Sequence, residues 1–146
     1  MTAKVSDVLK QKGYRVVTVA PAQTIASVAE LLTQNRIGAA PVTNAAGGLI
    51  GIISERDVVR GIAHHGSGVL TRSVEQLMTR EVKTCAPDDA IVELMAVMTN
   101  QRIRHLPVVE GGALCGLVSI GDVVKQRLAE AQLELDELHR YISSSL

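Results

Sequence analysis

A chain of 146 residues, 47% of them hydrophobic, has the size of one compact domain and enough apolar side chains to bury a core, which excludes a disordered chain. Its 15 basic and 15 acidic side chains cancel, so no global field draws it to nucleic acid or to an anionic membrane. There is no Phe or Trp to stack on bases, no apolar run long enough to span a membrane, and no signal-peptide core at the start; a soluble cytoplasmic protein is the expectation.

In chain order, Met1 to Tyr14 reads as a short helix with Ser6 as N-cap and Gly13 as stop. Arg15 to Ala20 reads as a Val-rich strand ended by Pro21. Thr24 caps a helix over IASVAELLTQN, whose Ile25, Val28, Leu31 and Leu32 share a face. Strands are predicted over Ile37 to Thr43 and Leu49 to Ile53, joined by the turn Asn44 to Gly48, and Ser54 opens a helix to about Ile62. His64 to Thr71 is a loop dividing the chain, and its two histidines read as solvated. The order then restarts. Ser73 caps VEQLM, Val82 to Cys85 is a strand ended by Pro87, and Asp88 and Asp89 begin the helix IVELMAVMTNQ. Strands His105 to Val109 and Ala113 to Val118 flank the turn Glu110 to Gly112, and Ser119 opens the last helix. Cys85 and Cys115 are not a CxxC pair and read as small buried hydrophobes; the histidines show no metal spacing.

The two halves repeat. Pro21, Ile25, Thr33, Arg36, Ile37, Pro41 and Val42 recur sixty-six residues later. Gly51, Ser54, Asp57, Val58 and Val59 recur after sixty-five, the second turn being one residue shorter. Each unit is read as β-α-β-β-α, an α+β (α/β-like) architecture whose two copies pack about a pseudo-twofold and create two equivalent clefts. One unit alone offers too little core. The repeated Ser-x-x-Asp at a strand-to-helix junction has two readings. Ser at an N-cap with an acid three residues on is a capping box. The same helix start can also hold an anion, while the carboxylate, an acceptor only, suits a sugar diol.

RIGAAPV and RIRHLPV, each followed by G-h-h-S-x-x-D-V-V, resemble the two halves of a tandem cystathionine-β-synthase (CBS) domain pair over roughly residues 5 to 128. The resemblance implies a regulatory module that binds adenosine-containing ligands (AMP first, with NAD, ATP, ADP or S-adenosylmethionine as the others), needs no metal and performs no catalysis. It divides the chain into repeats at 5–65 and 72–128 and a helical extension at 129–146. It also implies that each ligand lies between units. One cleft then takes Ser54, Glu55, Arg56, Asp57, Met78, Thr79, Arg80, Val82, Arg104, His105 and Pro107. The other takes Leu9, Val17, Gly38, Ala39, Ala40, Pro41, Ser119, Gly121 and Asp122. In the family the Asp holds the ribose hydroxyls and the Ser and helix start lie near the phosphate. Arg104 and His105 suit phosphate capture, where Gly38 and Ala39 offer the other cleft nothing charged; Lys125 is the one evident cation near Asp122. Arg56 and Gly121 stand where family members often have a small polar residue.

In the last helix Val124, Leu128, Ala131, Leu135, Leu138 and Ile142 form a heptad seam too short to hold a dimer unaided. The expectation is a homodimeric nucleotide sensor that joins through its CBS faces and this helix, acts on an unidentified regulated protein, and has no membrane or nucleic-acid role. The alternative is a structural dimerisation module whose sites do not bind.

Overall fold

The structure, a computed structural model, describes residues 2–145. Its elements are α1 (Val5–Lys12), α2 (Ile25–Asn35), β1 (Ala39–Thr43), β2 (Leu49–Ser54), α3 (Glu55–His65), a 3₁₀ helix (Gly66–Thr71), α4 (Val74–Leu77), α5 (Ile91–Gln101), β3 (His105–Glu110), β4 (Ala113–Ser119) and α6 (Ile120–Ser145). β1 pairs antiparallel with β2, and β3 with β4, in two separate sheets. Local signals behave as expected at several points. Thr24 Oγ1 accepts from Ser27 N–H at 3.2 Å. Asn44 Oδ1 gathers the N–H groups of Ala46 and Gly48 and so closes the first hairpin. Among the described residues no helix is long and apolar enough to cross a membrane.

Three expectations are corrected. Arg15 to Ala20 and Val82 to Cys85 are not strands; each touches its sheet through a single parallel bridge, Val19 to Val42 and Cys85 to Val108. Val19 N–H donates to Pro41 O and its carbonyl accepts from Thr43 N–H, both at 3.0 Å. The next bond of that ladder would come from residue 41, and proline has no N–H to give. Pro107 stops the second bridge in the same way. Ser6 is not the N-cap of α1; the cap position is Lys4, whose N–H donates to Asp7 Oδ2 at 2.9 Å. The first helical N–H groups need no side-chain cap, because Val5 and Ser6 donate to the carbonyls of Asp89 and Pro87 in the other half. Finally, α3 runs on to His65, and the expected loop after it is largely a 3₁₀ turn that buries Val69. His64 and His65 are exposed at its end.

The core is built by exchange. Val5, Val8 and Leu9 of α1 pack with Ile91, Leu94, Met98, Leu106, Val118 and Val123 of the second half. Val74 of α4 and Met78 pack with Ile25, Val28, Leu32, Val42 and Ile53 of the first half. Backbone bonds fasten the exchange, with Ile25 donating to Arg72 O, Val74 to Gln23 O and Ile91 to Ala3 O. Two repeated glycines make room for it. A Cβ on Gly51 would stand 2.5 Å from Met78 Sδ, and one on Gly116 would stand 2.7 Å from Leu9 Cδ2. Cys85 is buried here and its thiol is pushed up to about 12, by burial first and then by Asp89 and Cys115, which makes it an unreactive apolar filler. Cys115 is only half-buried.

Candidate functional site

Both Ser/Asp junctions fold into the same hydrogen-bonded turn. Ser54 N–H donates to Asp57 Oδ2 at 2.9 Å and Asp57 N–H to Ser54 Oγ at 3.3 Å. Ser119 N–H donates to Asp122 Oδ2 at 2.9 Å and Asp122 N–H to Ser119 Oγ at 3.2 Å. The first N–H of each helix is also taken: Glu55 donates to Gly38 O at 2.9 Å and Ile120 to Arg104 O at 2.8 Å. The capping reading therefore holds at both junctions. It does not exclude binding, since each Asp keeps a second carboxylate oxygen and each helix start keeps its dipole. In α3 the Arg56 N–H has no acceptor within the chain among the described residues.

The surroundings then diverge. At Asp57 the partner is Thr79, which follows α4. Its N–H donates to Ile52 O at 2.9 Å and its hydroxyl to Asp57 Oδ1 at 3.3 Å. At Asp122 the corresponding acceptors are Leu117 O and Asp122 Oδ2, and a single ammonium serves both: Lys12 Nζ lies at 2.7 Å and 2.6 Å. Burial raises the Asp122 carboxyl, but the Lys12 hydrogen bond, the Ser119 N–H and the Lys12 charge outweigh it and hold the group below the usual carboxylate range. The cation of this site is thus Lys12, delivered by the last turn of α1. Lys125 makes no ion pair among the described residues.

A cavity of about 230 Å³ opens at Asp57. Of the residues assigned to that cleft, Ser54, Glu55, Arg56, Asp57, Thr79, Val82, Arg104 and His105 line it. Met78 does not, being buried in the first core. Arg80 turns away to Glu75, donating to its carbonyl at 3.1 Å, and Pro107 sits within β3 opposite Leu117. Two residues assigned to the other cleft, Gly38 and Ala39, line this one. A Cβ on Gly38 would stand 3.2 Å from the His105 ring, so the beginnings of the two hairpins meet there. Of the remaining second-cleft residues, Leu9 and Ala40 are core and Pro41 pairs with Ile52. Val17 is half-buried, Ser119 and Asp122 form the cap, and Gly121 is exposed on the first turn of α6. Sequence reasoning missed Ile52, Arg60, Glu81, Lys83, Arg102 and Ile103 on the cavity wall. Arg102 carries a signal, since RI recurs at Arg36-Ile37; Lys83 and Glu81 lie in an irregular stretch where spacing says nothing.

The cavity is cationic in a chain of zero net charge. Arg56, Arg60, Lys83, Arg102 and Arg104 face it against Glu55, Asp57 and Glu81. His105 stands between the two sites. Burial lowers its pKa, Lys12 and Arg104 add to that, and Glu55 and Asp122 oppose it; the ring is held neutral around pH 7. Chemically the arrangement offers a carboxylate oxygen for hydroxyl donors, a free helix N–H and guanidinium groups for an anion, and apolar walls at Ile52, Val82 and Ile103 for a flat ring.

Comparison with known proteins gives a consistent result. The CBS domain model matches residues 5–64 and 74–129. The CBS domain-containing protein CBSX3, mitochondrial, of Arabidopsis thaliana is 36% identical over 94% of this chain and 71% of its own length. The crystal structure of the CBS-domain containing protein ATU1752 from Agrobacterium tumefaciens superposes with a TM-score of 0.84 at 45% identity, over 87% of this chain and 95% of that one. The CBS domain pair of protein MJ0100, solved in complex with 5′-methylthioadenosine and S-adenosyl-L-methionine, shares the fold with a TM-score of 0.75 at 22% identity, over 89% of this chain and 99% of that one.

Proposed function

The chain belongs to the CBS-domain family, and from that premise we propose that this tandem pair is a regulatory module that binds an adenosine nucleotide in the Asp57 cleft. AMP is the smallest of these ligands to offer a sugar diol, a phosphate and a flat ring together, and ADP, ATP, NAD and S-adenosylmethionine share its adenosine. The observation that carries this reading is the asymmetry of the two junctions. At Asp57 an open cavity adjoins the cap, with arginines that make no ion pair around it, whereas at Asp122 the Lys12 ammonium lies on the carboxylate. In the proposed pose the ribose hydroxyls donate to Asp57, the phosphate meets the start of α3 and Arg104, and adenine lies against Ile52, Val82 and Ile103. That the related MJ0100 pair holds two adenosine-containing ligands supports the ligand class.

Occupancy is passed on because the cleft is made from both halves. Thr79 and Val82 follow the exchanged helix α4, whereas Arg104 and His105 begin β3. A ligand that bridges them favours one arrangement of the halves, and a partner reads that arrangement. A second copy of the chain joins through the CBS faces and α6, whose Leu128, Leu135 and Leu138 are about half-exposed or more. The reading as a dimerisation module with closed sites is favoured at one junction only, where Lys12 covers Asp122.

Calorimetry on ligand-stripped protein tests the proposal. Saturable binding of AMP, lost in Asp57→Ala and weakened in Asp57→Asn, which keeps a capping acceptor, is the expected result. Absence of binding by every adenosine ligand overturns it, as does wild-type affinity in Asp57→Ala.

A further inference from the structure

The Asp57 cavity does not end at the residues that would hold AMP. A second open groove adjoins it, and Arg56, Arg102, Ile103 and Arg104 belong to both. The groove continues over Met98 and Thr99 of α5 to Ile120 at the start of α6. Beyond the arginines its lining is Met98, Thr99, Ile103 and Ile120 and supplies no carboxylate, while its cationic groups all stand where it meets the cavity. The Arg56 guanidinium is steered to that junction by donating from Nη1 to Arg102 O at 3.3 Å.

None of the five cationic side chains around the cavity is neutralised. The ion pairs among the described residues are Lys4–Asp88, Lys12–Asp122, Arg80–Glu75 and Arg127–Glu130, and Arg56, Arg60, Lys83, Arg102 and Arg104 take part in none of them. Elsewhere the chain brings opposite charges together in ion pairs; here five cationic side chains outnumber the carboxylates of Glu55, Asp57 and Glu81, and the carboxylates lie on the cavity and not in the groove. Like charges repel where low-dielectric walls weaken screening, and a polyanion relieves this. A single phosphate at the start of α3 engages the Arg56 backbone N–H, which a side-chain substitution leaves in place, and the Arg104 fork. It leaves the Arg56 and Arg102 guanidinium groups, which line both the cavity and the groove, without an anion.

We propose that Arg56, Arg102 and Arg104 form a second phosphate subsite at the mouth of the groove, so that this cleft selects adenosine di- or triphosphate over AMP. The inference rests on the adenosine reading above and adds the charge and length of the ligand's phosphate chain. The nucleoside end occupies the cavity between Asp57 and Val82, and the distal phosphates run out along the arginines into the groove.

The test is a calorimetric titration of the stripped full-length chain with AMP, ADP and ATP at two salt concentrations, in wild type and in Arg102→Asn and Arg56→Gln. Asn tolerates the left-handed backbone at residue 102, where φ is 54°. Both arginines are exposed, so the variants fold, as their melting in the absence of ligand checks. In wild type ADP or ATP should bind at least tenfold tighter than AMP, with a steeper loss on adding salt. Each variant should bring ADP towards the AMP value while AMP changes less than threefold. Equal affinities for AMP and ADP, or variants that weaken AMP and ADP alike, overturn the subsite and leave the adenosine reading standing. No binding by any of the three overturns both.

Discussion

The two Ser/Asp junctions are built from one pattern and end as opposites. Each has the same two cap bonds within 0.1 Å, and each helix start donates to a backbone carbonyl of its own half, Gly38 or Arg104. In both, a carboxylate and a neighbouring strand carbonyl need a donor. At Asp57 the donor is a neutral residue, Thr79, through its N–H and hydroxyl. At Asp122 it is the ammonium of Lys12. The cause lies in the exchanged helices. α4 ends at Leu77, so the chain leaves the helix, runs along β2 and bonds Ile52 through its backbone. α1 continues to Lys12, so its last turn reaches β4 with a side chain. A difference in helix length thus leaves one carboxylate beside an open cavity and supplies the other with an internal cation. Duplication copied the motif; the segments before each repeat decided what the motif meets.

The sharpest way to break that comparison is to remove each carboxylate in turn. Asp57→Ala should cost a hydrogen-bonded charge at the ligand, about 1.5–3 kcal/mol, which is roughly a tenfold to hundredfold loss of nucleotide affinity. Asp122→Ala should leave affinity within about twofold and act on stability instead, because it strands Lys12. Equal effects in calorimetry would mean that the two sites are not divided as their donors suggest.

Next in size is the exchange that sets the difference. Gly51→Ala drives a methyl against Met78 Sδ at 2.5 Å and against the Thr79 carbonyl at 3.0 Å. For Gly116→Ala the three nearest atoms all belong to the Leu9 side chain, from 2.7 to 3.4 Å. Overpacking of this kind costs about 1–3 kcal/mol. Gly51→Ala should lie at the upper end, since backbone yields less than a leucine, and it should also weaken ligand binding by displacing Thr79. Chemical unfolding of both variants beside a titration separates these effects. A milder cost at Gly51 than at Gly116 would contradict the packing.

How much of this could be read in the sequence follows from where the interactions are local. The capping turns, the hairpins and the duplication are set by residues within a few positions of one another, such as Ser54 with Asp57 or Asn44 with Gly48, so spacing reveals them. The two stretches read as strands, Arg15 to Ala20 and Val82 to Cys85, misled because strand composition is not pairing. Pro41 and Pro107 lie in the neighbouring strands and limit each stretch to one bridge. Lys12 was invisible for a different reason: its partner is 110 residues away, and nothing periodic marks a lysine at a helix end as a site residue. The placement of Gly38 and Ala39 beside Asp57 depends on how the two hairpins meet, which no spacing encodes.

The smallest expected effect concerns Lys12, and it bears directly on why the second site is closed. The ion pair is partly exposed, with side-chain exposures of 35% and 23%, so it lies between a surface pair and a buried one. Lys12→Met keeps the apolar stem and removes the charge; about 1 kcal/mol of stability should be lost at neutral pH. The pH dependence follows from the lowered carboxyl of Asp122. A carboxyl with a folded-state pKa below its unfolded value of about 3.9 stabilises fully above that value and loses the contribution as pH falls through the folded one. The stability gap between wild type and Lys12→Met should therefore be constant from about pH 6 to 8 and shrink below about pH 4. A gap that persists unchanged into acid would assign Lys12 a packing role rather than an electrostatic one. The same variant sharpens the functional side of the comparison: with the ammonium gone, the Asp122 carboxylate loses the internal cation that lies on it, and the ligand stoichiometry should rise above the one equivalent expected of the wild-type chain. If the stability gap follows this course and the stoichiometry stays at one, the second junction is closed by its apolar surroundings and Lys12 merely neutralises it.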